Sequence, residues 1–185
     1  MPEEVFICVD VETAGPIPGS YAMLSIGACL VKDIGETFYV ELKPDRDEVQ
    51  PEALAISGLD MELLRREGVE PARAMQQFAE WIAGLVPPGG RPVFVAFNAP
   101  FDWMFINDYF HRYLGKNPFG HSALDIKAYF MGQTGVNWEH TSMQHISSHF
   151  LEEVHLTHNA LRDAQDQAEV FQKILKLNPR LNISE

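Results

Sequence analysis

The sequence predicts an α/β fold in which helices flank a mixed β-sheet. Three runs near the start of the chain are typical of strands, and a fourth apolar run follows a predicted helix. A long amphipathic helix is the last predicted element, giving the order β-β-β-α-β-α-(β)-α. Consecutive strands favour a three-strand antiparallel meander, and strands reached through helices favour parallel additions.

The first three strands follow from short apolar or alternating runs. Residues 5–11 are apolar and rich in β-branched side chains, which is typical of a buried strand. The run MLSIGACLV (23–31) predicts the second strand, and the alternating run ETFYVELK (36–43) predicts the third. The tripeptide DIG (33–35) between them predicts the hairpin turn.

The middle of the chain alternates between helix and strand signals. PEALAISGLD (51–60) predicts one turn of helix followed by a loop. A helix begins at Pro71, where proline suits the first helical position, and PPGGRP (87–92) ends it. VFVAF (93–97) then predicts a compact strand.

The last third carries two more helices. The segment 100–114 predicts a helix, and SALDI (122–126) predicts a short strand. The longest helix runs from about residue 158 or 159 to 177, with Thr157 as its expected N-cap. Because no repeat or linker interrupts these elements, we expect residues 1–185 to form a single domain.

The composition is that of an ordinary globular protein, with 46% hydrophobic and 22% charged residues. No run approaches the roughly 20 apolar residues of a membrane helix, and the start MPEEVF does not resemble a signal peptide. We therefore expect a cytoplasmic protein without membrane contact. The two cysteines, Cys8 and Cys29, lie within apolar runs and are expected to be buried thiols.

The net charge of −12 limits the kinds of partner. Phosphate binding normally needs clustered lysine and arginine, so this charge argues against a large nucleic-acid surface. The argument weakens if several acids hold divalent cations, because the phosphates then meet metal rather than bare protein.

Three carboxylates follow predicted strands. Successive strand residues point to opposite faces, so Asp10 and Glu12 share one face, roughly 6–7 Å apart along the strand. Asp102 comes shortly after the strand 93–97, and ligands of parallel sheets gather at the carboxyl ends of the strands. Each acid also has a plain structural explanation, as a strand exit or a favourable charge at a helix N-terminus.

The segment HNALRD places His158 and Asp163 at the start of the last helix. Five helical positions advance about 500°, which would leave the two side chains about 140° apart. They can share a cleft only if His158 lies in the loop before the helix. The alternative is a solvated aspartate beside a capping histidine.

Together these motifs resemble the DEDDh family of 3′-to-5′ exonucleases, within the DnaQ-like superfamily of ribonuclease H-like fold. DVET (10–13), NAPFD (98–102) and HNALRD (158–163) match the three motifs in order, within a likeness that covers about residues 5–176. VQPEALAISGLD (49–60) looks most like the ribonuclease T branch. Phe97 stands where many relatives have histidine.

The resemblance implies a nuclease that uses two Mg²⁺ or Mn²⁺ ions per site. Asp10 would bridge both ions, Glu12 and Asp163 would complete one site, and Asp102 would support the other through water. His158 would be the general base, since histidine has an ordinary pKa of about 6.5. The expected reaction releases nucleoside 5′-monophosphates from single-stranded 3′ ends, with RNA favoured and DNA as the alternative.

Substrate contacts are expected mainly beside the motifs. The candidates from the resemblance and from neighbouring positions are Thr13, Ala14, Leu24, Ile56, Asn98 and Phe101. The basic candidates for backbone contacts are Arg112, Lys116, Lys127 and Arg162. A homodimer that lends basic residues to the site is also conceivable.

Other functions explain less of the sequence. A phosphatase or phosphotransferase with Asp10 as a covalent nucleophile would want a second aspartate where Glu12 stands, and it leaves HNALRD unexplained. A non-catalytic domain that only binds nucleic acid would tolerate loss of a motif acid, yet all are present. His145 and His149 have the i, i+4 spacing of a zinc pair, but without a third ligand nearby a structural role is favoured.

Overall fold

The computed structural model describes residues 2–148, 150 and 158–177. The five strands are β1 Glu4–Thr13, β2 Met23–Leu30, β3 Asp33–Glu41, β4 Arg91–Ala96 and β5 Ala123–Asp125. The helices are α1 Pro51–Ser57, α2 Met61–Glu67, α3 Pro71–Leu85, α4 Ala99–Leu114, α5 Ile126–Thr134, α6 Met143–Ser147 and α7 Ala160–Lys176, with a 3₁₀ turn at Trp138–His140. None of the helices in these ranges is both long and apolar enough to cross a membrane.

The strands form one mixed sheet in the order β3-β2-β1-β4-β5. β1 pairs antiparallel with β2, and β2 pairs antiparallel with β3, which forms the expected meander. β4 pairs parallel with β1, and β5 pairs parallel with β4. The predicted mixed sheet flanked by helices is therefore confirmed, with β1 at its centre.

Alternation along β1 builds a core on each face of the sheet. One set of its side chains, including Ile7 and Val9, packs with apolar residues of α3 and α4. The other set, including Cys8, packs with α5, α6 and α7. Cys8 and Cys29 are both buried and unbridged, as expected. Every β1 side chain from Ile7 to Val9 is fully buried, which explains why the run is continuously apolar.

Several element boundaries differ from the prediction. DIG (33–35) starts β3, and the hairpin turn lies at residues 31–32, where the Val31 N–H donates to the Phe6 carbonyl. The segment 51–60 forms α1 and leads directly into α2, whose N-cap is Asp60.

The last helix also starts later than predicted. α7 begins at Ala160, and the Asn159 side chain caps it by accepting a hydrogen bond from the Arg162 N–H. Thr157, the expected cap, lies outside the described residues. The short helix α5 was not predicted, because it spans too few turns to produce a clear periodic pattern. The segment with His145 was expected to be helical, and it forms α6.

Candidate active site

The carboxyl ends of β1 and β4 define one edge of the sheet. Asp10 and Glu12 lie at the end of β1, where they pair with Gly27 and Ser25 of β2. β4 runs parallel to β1, so α4, which follows β4, begins at the same edge and carries Asp102 in its first turn. Chain topology therefore brings the first two motifs together.

Gly27 lets α7 approach the sheet beside Asp10. A β-carbon on Gly27 would lie 2.1 Å from the Ala160 carbonyl carbon and 2.2 Å from the Leu161 amide nitrogen. Only glycine permits backbone contact at this distance. Because Gly27 is the β2 partner of Asp10, the first turn of α7, which includes Asp163, lies next to the end of β1.

Three of the predicted ligands form one cluster. One carboxylate oxygen from each of Asp10, Glu12 and Asp163 lies within 4.8 Å of the others. Asp102 is 4% exposed and lies beside this cluster, where its Oδ1 accepts a 3.1 Å hydrogen bond from the Val11 N–H. Hard carboxylate oxygens at this spacing fit Mg²⁺ or Mn²⁺.

The cluster is electrostatically unfavourable without a cation. Burial, and then neighbouring carboxylates with Asp102 first among them, raise the pKa of Asp10 well above its ordinary value. Burial also raises the pKa of Glu12 to about 7, with the Asp163 charge as the second cause. Burial raises the pKa of Asp102 to about 8 although the hydrogen bond from Val11 opposes it. A bound divalent cation would supply the missing positive charge.

Gln167 holds Asp10 in place, and the sequence analysis missed it. Its Nε2 donates a 2.7 Å hydrogen bond to Asp10 Oδ1, and its Oε1 accepts one of 2.8 Å from the Phe97 N–H. Gln167 is 4% exposed. It lies one helical turn after Asp163 on the buried face of α7, so a polar residue inside the apolar stripe was the available signal.

Asp125 fixes the start of α4. Its Oδ2 accepts a 2.6 Å hydrogen bond from the Ala99 N–H, and its Oδ1 caps α5 by accepting one from the Ala128 N–H. Asn98, just before α4, has left-handed backbone angles (φ 62°, ψ 46°), a conformation that asparagine tolerates better than most residues. These contacts orient the turn that leads to Asp102.

His158 lies outside α7, as a shared cleft requires. It is exposed, directly precedes the N-cap Asn159, and has a positive φ of 51°. The left-handed backbone turns the chain sharply just before the helix. His158 therefore lies one residue before the N-cap of the helix whose first turn carries Asp163.

The predicted substrate contacts fall into two groups. Asn98 is exposed, Ile56 is 54% exposed, and Phe101 is half-buried against Phe105. Thr13, Ala14 and Leu24 are buried.

The buried group offers little to a nucleotide. Leu24 has no exposed surface and packs in a core cluster with Met61 and Leu64. The structure thus places Leu24 in the core rather than at a surface that a base could reach. Both backbone groups of Ala14 are already engaged, its N–H with the Ala22 carbonyl and its C=O with the Gln50 N–H.

The basic candidates also differ from one another. Arg112 forms ion pairs with Asp45 and Asp108 and stacks on Tyr109 and Tyr113, so its charge is used within the fold. Lys116, Lys127 and Arg162 form no ion pair with another described residue.

The suggested zinc pair is only half described. The ring of His145 lies 5.1 Å from that of His140, measured between ring centroids. His149 lies outside the described residues, so the structural role favoured for this pair stays a prediction.

The sequence profile of the RNase_T family, described as Exonuclease, matches residues 7–171. The chain belongs to this exonuclease family. It is 47% identical over 178 residues to the 3′-5′ DNA exonuclease Cap18 of Escherichia coli, covering 96% of this chain and 95% of that protein. It is 31% identical over 126 residues to ribonuclease T of Blochmanniella pennsylvanica, covering 61% of this chain and 58% of that protein.

Solved structures agree on the fold of this exonuclease. The nuclease domain of 3′hExo, a DEDDh family member bound to rAMP, superposes with a TM-score of 0.80 at 13% identity, covering 98% of this chain and 96% of that one. E. coli exonuclease I in complex with a dT13 oligonucleotide gives a TM-score of 0.69 at 20% identity, covering 94% of this chain and 41% of that one. At these identities the likeness concerns the fold.

Proposed function

We propose that this protein is a metal-dependent 3′-to-5′ exonuclease that releases nucleoside 5′-monophosphates from single-stranded DNA. The observation that carries the proposal is the carboxylate cluster of Asp10, Glu12 and Asp163, with oxygens within 4.8 Å of one another. Asp102 lies close enough to interact with Asp10, and His158 directly precedes the N-cap of the helix that carries Asp163. This is the set of groups needed to hydrolyse a phosphodiester at a chain end.

The chain's own residues would divide the work. Asp10, Glu12 and Asp163 would hold two Mg²⁺ or Mn²⁺ ions, with Asp102 in support. In such a site bound divalent ions supply positive charge at the phosphate and lower the pKa of water. His158 would accept the proton of the attacking water, and its exposed position leaves it accessible to that water. Asn98 and Phe101 would contact the terminal nucleotide.

We propose DNA as the preferred substrate because the chain is most extensively similar, among the relatives described above, to a DNA exonuclease. The similarity to Cap18 covers nearly all of both chains at 47% identity. RNA, which the sequence alone favoured, is the second candidate, supported by the partial match to ribonuclease T at 31% identity. A cytoplasmic location and a homodimer remain predictions.

The test is a gel time course on 5′-labelled single strands, DNA beside RNA of one sequence, each with Mn²⁺, with Mg²⁺ and with chelator. We expect a metal-dependent ladder that shortens from the 3′ end, faster on DNA, with nucleoside 5′-monophosphates as products. A faster RNA lane would overturn the choice of DNA. Intact substrate in every lane would favour a non-catalytic binding domain.

Matched variants identify the groups responsible. Asp163→Asn keeps the size of the side chain but removes the charge of a proposed metal ligand. Removing a group that only orients a metal ligand lowers activity about 10–100-fold, so we expect kcat to fall by more than this in Asp163→Asn. His158→Ala should lower kcat by about 100-fold or more, within the range for general-base catalysis. Full activity in Asp163→Asn would refute the metal assignment.

A further inference from the structure

An exposed tryptophan and an unpaired lysine lie at the same sheet edge as the carboxylates. Lys127 Nζ lies 4.3 Å from the centroid of the Trp138 ring and 5.9 Å from that of the Phe97 ring. Trp138 is 53% exposed, while Phe97 and Lys127 are half-buried. We call these three residues the aromatic–lysine platform.

The platform is tied directly to the catalytic edge. Phe97 follows β4 and Lys127 follows β5, and both strands run parallel to β1, which ends in the carboxylates. The Phe97 N–H donates to Gln167, and Gln167 in turn donates to Asp10. Two hydrogen bonds of the Gln167 side chain therefore connect Asp10 of the carboxylate cluster to Phe97 of the platform.

Lys127 is distinguished from the other basic side chains that form no ion pair by the two aromatic rings near its charge. Lys32, Lys116 and Arg162 also lack ion pairs with described residues, whereas ion pairs are formed by Lys43, Arg46, Arg65, Arg66, Arg91, Arg112 and Lys173. Within the described ranges Lys127 forms none, although the chain has a net charge of −12. A cation that lies near aromatic rings, at the end of the sheet that carries the acidic cluster, is well placed for a phosphate that the carboxylates would otherwise repel.

We propose that Phe97, Lys127 and Trp138 bind the single-stranded nucleic acid on the 5′ side of the terminal nucleotide. Lys127 contacts a backbone phosphate, and the exposed part of the Trp138 ring stacks on a base. Cationic side chains with open aromatic faces are the usual means of binding single strands without sequence preference. This inference rests on the proposed exonuclease function and adds a strand-binding site to it.

The competing explanation is structural: Lys127 could cover the Trp138 ring only to stabilise the 3₁₀ turn at Trp138–His140. The two explanations differ in what they predict for substrates of different length. A strand-binding platform affects long substrates alone. A structural contact affects the melting temperature and spares the KM for every substrate.

The experiment compares a 12-nucleotide single strand with thymidine 5′-(p-nitrophenyl phosphate), which has no nucleotide on the 5′ side. The variants are Trp138→Ala, Trp138→Phe and Lys127→Met. The matched control is Lys32→Met, which removes one exposed positive charge at the hairpin turn, at the opposite sheet edge. kcat, KM and the salt dependence of KM are measured for both substrates, together with the melting temperature.

We expect Trp138→Ala to raise the KM for the 12-nucleotide strand about tenfold, with most of the affinity kept in Trp138→Phe. Lys127→Met should raise this KM and reduce its salt dependence by about 0.7 in the slope of log K against log salt, as for one lost phosphate contact. All variants should cleave the p-nitrophenyl ester like wild type. Lys32→Met should match wild type on both substrates.

The experiment distinguishes failure of the proposed exonuclease function from failure of the platform inference. If the wild-type protein cleaves neither substrate, the proposed exonuclease function fails. If it cleaves both but the platform variants keep the wild-type KM for the strand, the platform inference is wrong. A KM that rises equally for both substrates, or a lower melting temperature with unchanged KM, would also refute it.

Discussion

Among individual residues, Gln167 shows how a buried amide can orient the carboxylate of Asp10, which we propose to be a metal ligand. Its oxygen accepts from the Phe97 N–H, which fixes the orientation of the amide and directs Nε2 to Asp10 Oδ1. One oxygen of Asp10 is thereby held at 2.7 Å from Nε2. Groups that orient metal ligands through hydrogen bonds strongly affect metal affinity.

Gln167→Met should therefore damage metal binding more than the fold. The substitution keeps an unbranched chain of similar size but removes the hydrogen bonds to Asp10, Phe97 and Cys8. We expect kcat to fall about 10–100-fold and the Mn²⁺ concentration for half-maximal activity to rise by a similar factor. Metal titrations of activity and of intrinsic fluorescence would measure the two effects.

Gln165→Met is the matched control for this variant. Gln165 lies on the same helix and donates a 2.9 Å hydrogen bond to the Ile34 carbonyl, and it hydrogen-bonds to no carboxylate in the described part of the chain. The Gln165→Met variant should lose this hydrogen bond without any change in the metal dependence of its activity. A Gln167→Met enzyme with the metal dependence of wild type would show that the amide has only a structural role.

Among the elements, α7 gives the site its third part, and its position depends on β2. The helix could be recognised from its apolar stripe, because its many turns repeat the pattern clearly. The close approach of α7 to Gly27 could not be predicted, since a glycine within an apolar strand has several explanations. The Cys29 Sγ, 3.5 Å from the Ala164 carbonyl, is a further contact between β2 and α7.

Gly27→Ala should displace the first turn of α7. The new β-carbon would lie 2.1 Å from backbone atoms of Ala160, which cannot rotate away as a side chain could. We expect a loss of about 1–3 kcal/mol in the free energy of unfolding, as for an overpacked core. Activity should fall about 100-fold at temperatures where the variant is folded, because a misplacement of about 1 Å can cost that factor.

Gly35→Ala provides the comparison on β3. A β-carbon on Gly35 would lie 3.3 Å from Asp33 Oδ1, the end of an exposed side chain that can move. Urea unfolding and exonuclease assays on both variants would show whether the effect belongs to the close approach at Gly27. Wild-type stability and rate in Gly27→Ala would contradict the packing argument.

For the whole molecule, most of the fold and the grouping of Asp10, Glu12 and Asp163 could be predicted, because several independent sequence signals agree on each. Strands showed buried or alternating runs, and acids after parallel strands indicated a common edge. The missed features rest on single residues in three dimensions, such as the hydrogen bonds of Gln167 and Asp125 and the burial of Leu24. For Gln167 the available signal was a polar residue inside the apolar stripe of α7, and the sequence neighbourhoods of Asp125 and Leu24 do not distinguish them from ordinary surface or core positions.

The carboxylate cluster at the end of β1 makes the stability of the whole protein depend on pH, because its buried acids are costly to ionise. In the folded protein the pKa of Glu12 is raised to about 7 and that of Asp102 to about 8, chiefly by burial. In the unfolded chain both titrate near 4. Between about pH 4.5 and pH 8 the folded state therefore binds more protons than the unfolded state, so these groups make the metal-free protein less stable as pH rises.

The last prediction tests this balance by thermal melting with and without divalent metal. The metal-free protein should melt a few degrees lower at pH 8.5 than at pH 6, since 1 kcal/mol corresponds to about 2–4 °C in a domain of this size. Millimolar Mn²⁺ or Mg²⁺ should raise the melting temperature, and by more at pH 8.5, where no protons compete for the carboxylates.

Glu12→Gln should raise the metal-free melting temperature at pH 8.5 and reduce the metal effect. The control Glu3→Gln, which removes an exposed carboxylate just before β1, should change neither. A metal-free protein that becomes more stable from pH 6 to pH 8.5, with Glu12→Gln following wild type, would show that the cluster does not control this dependence.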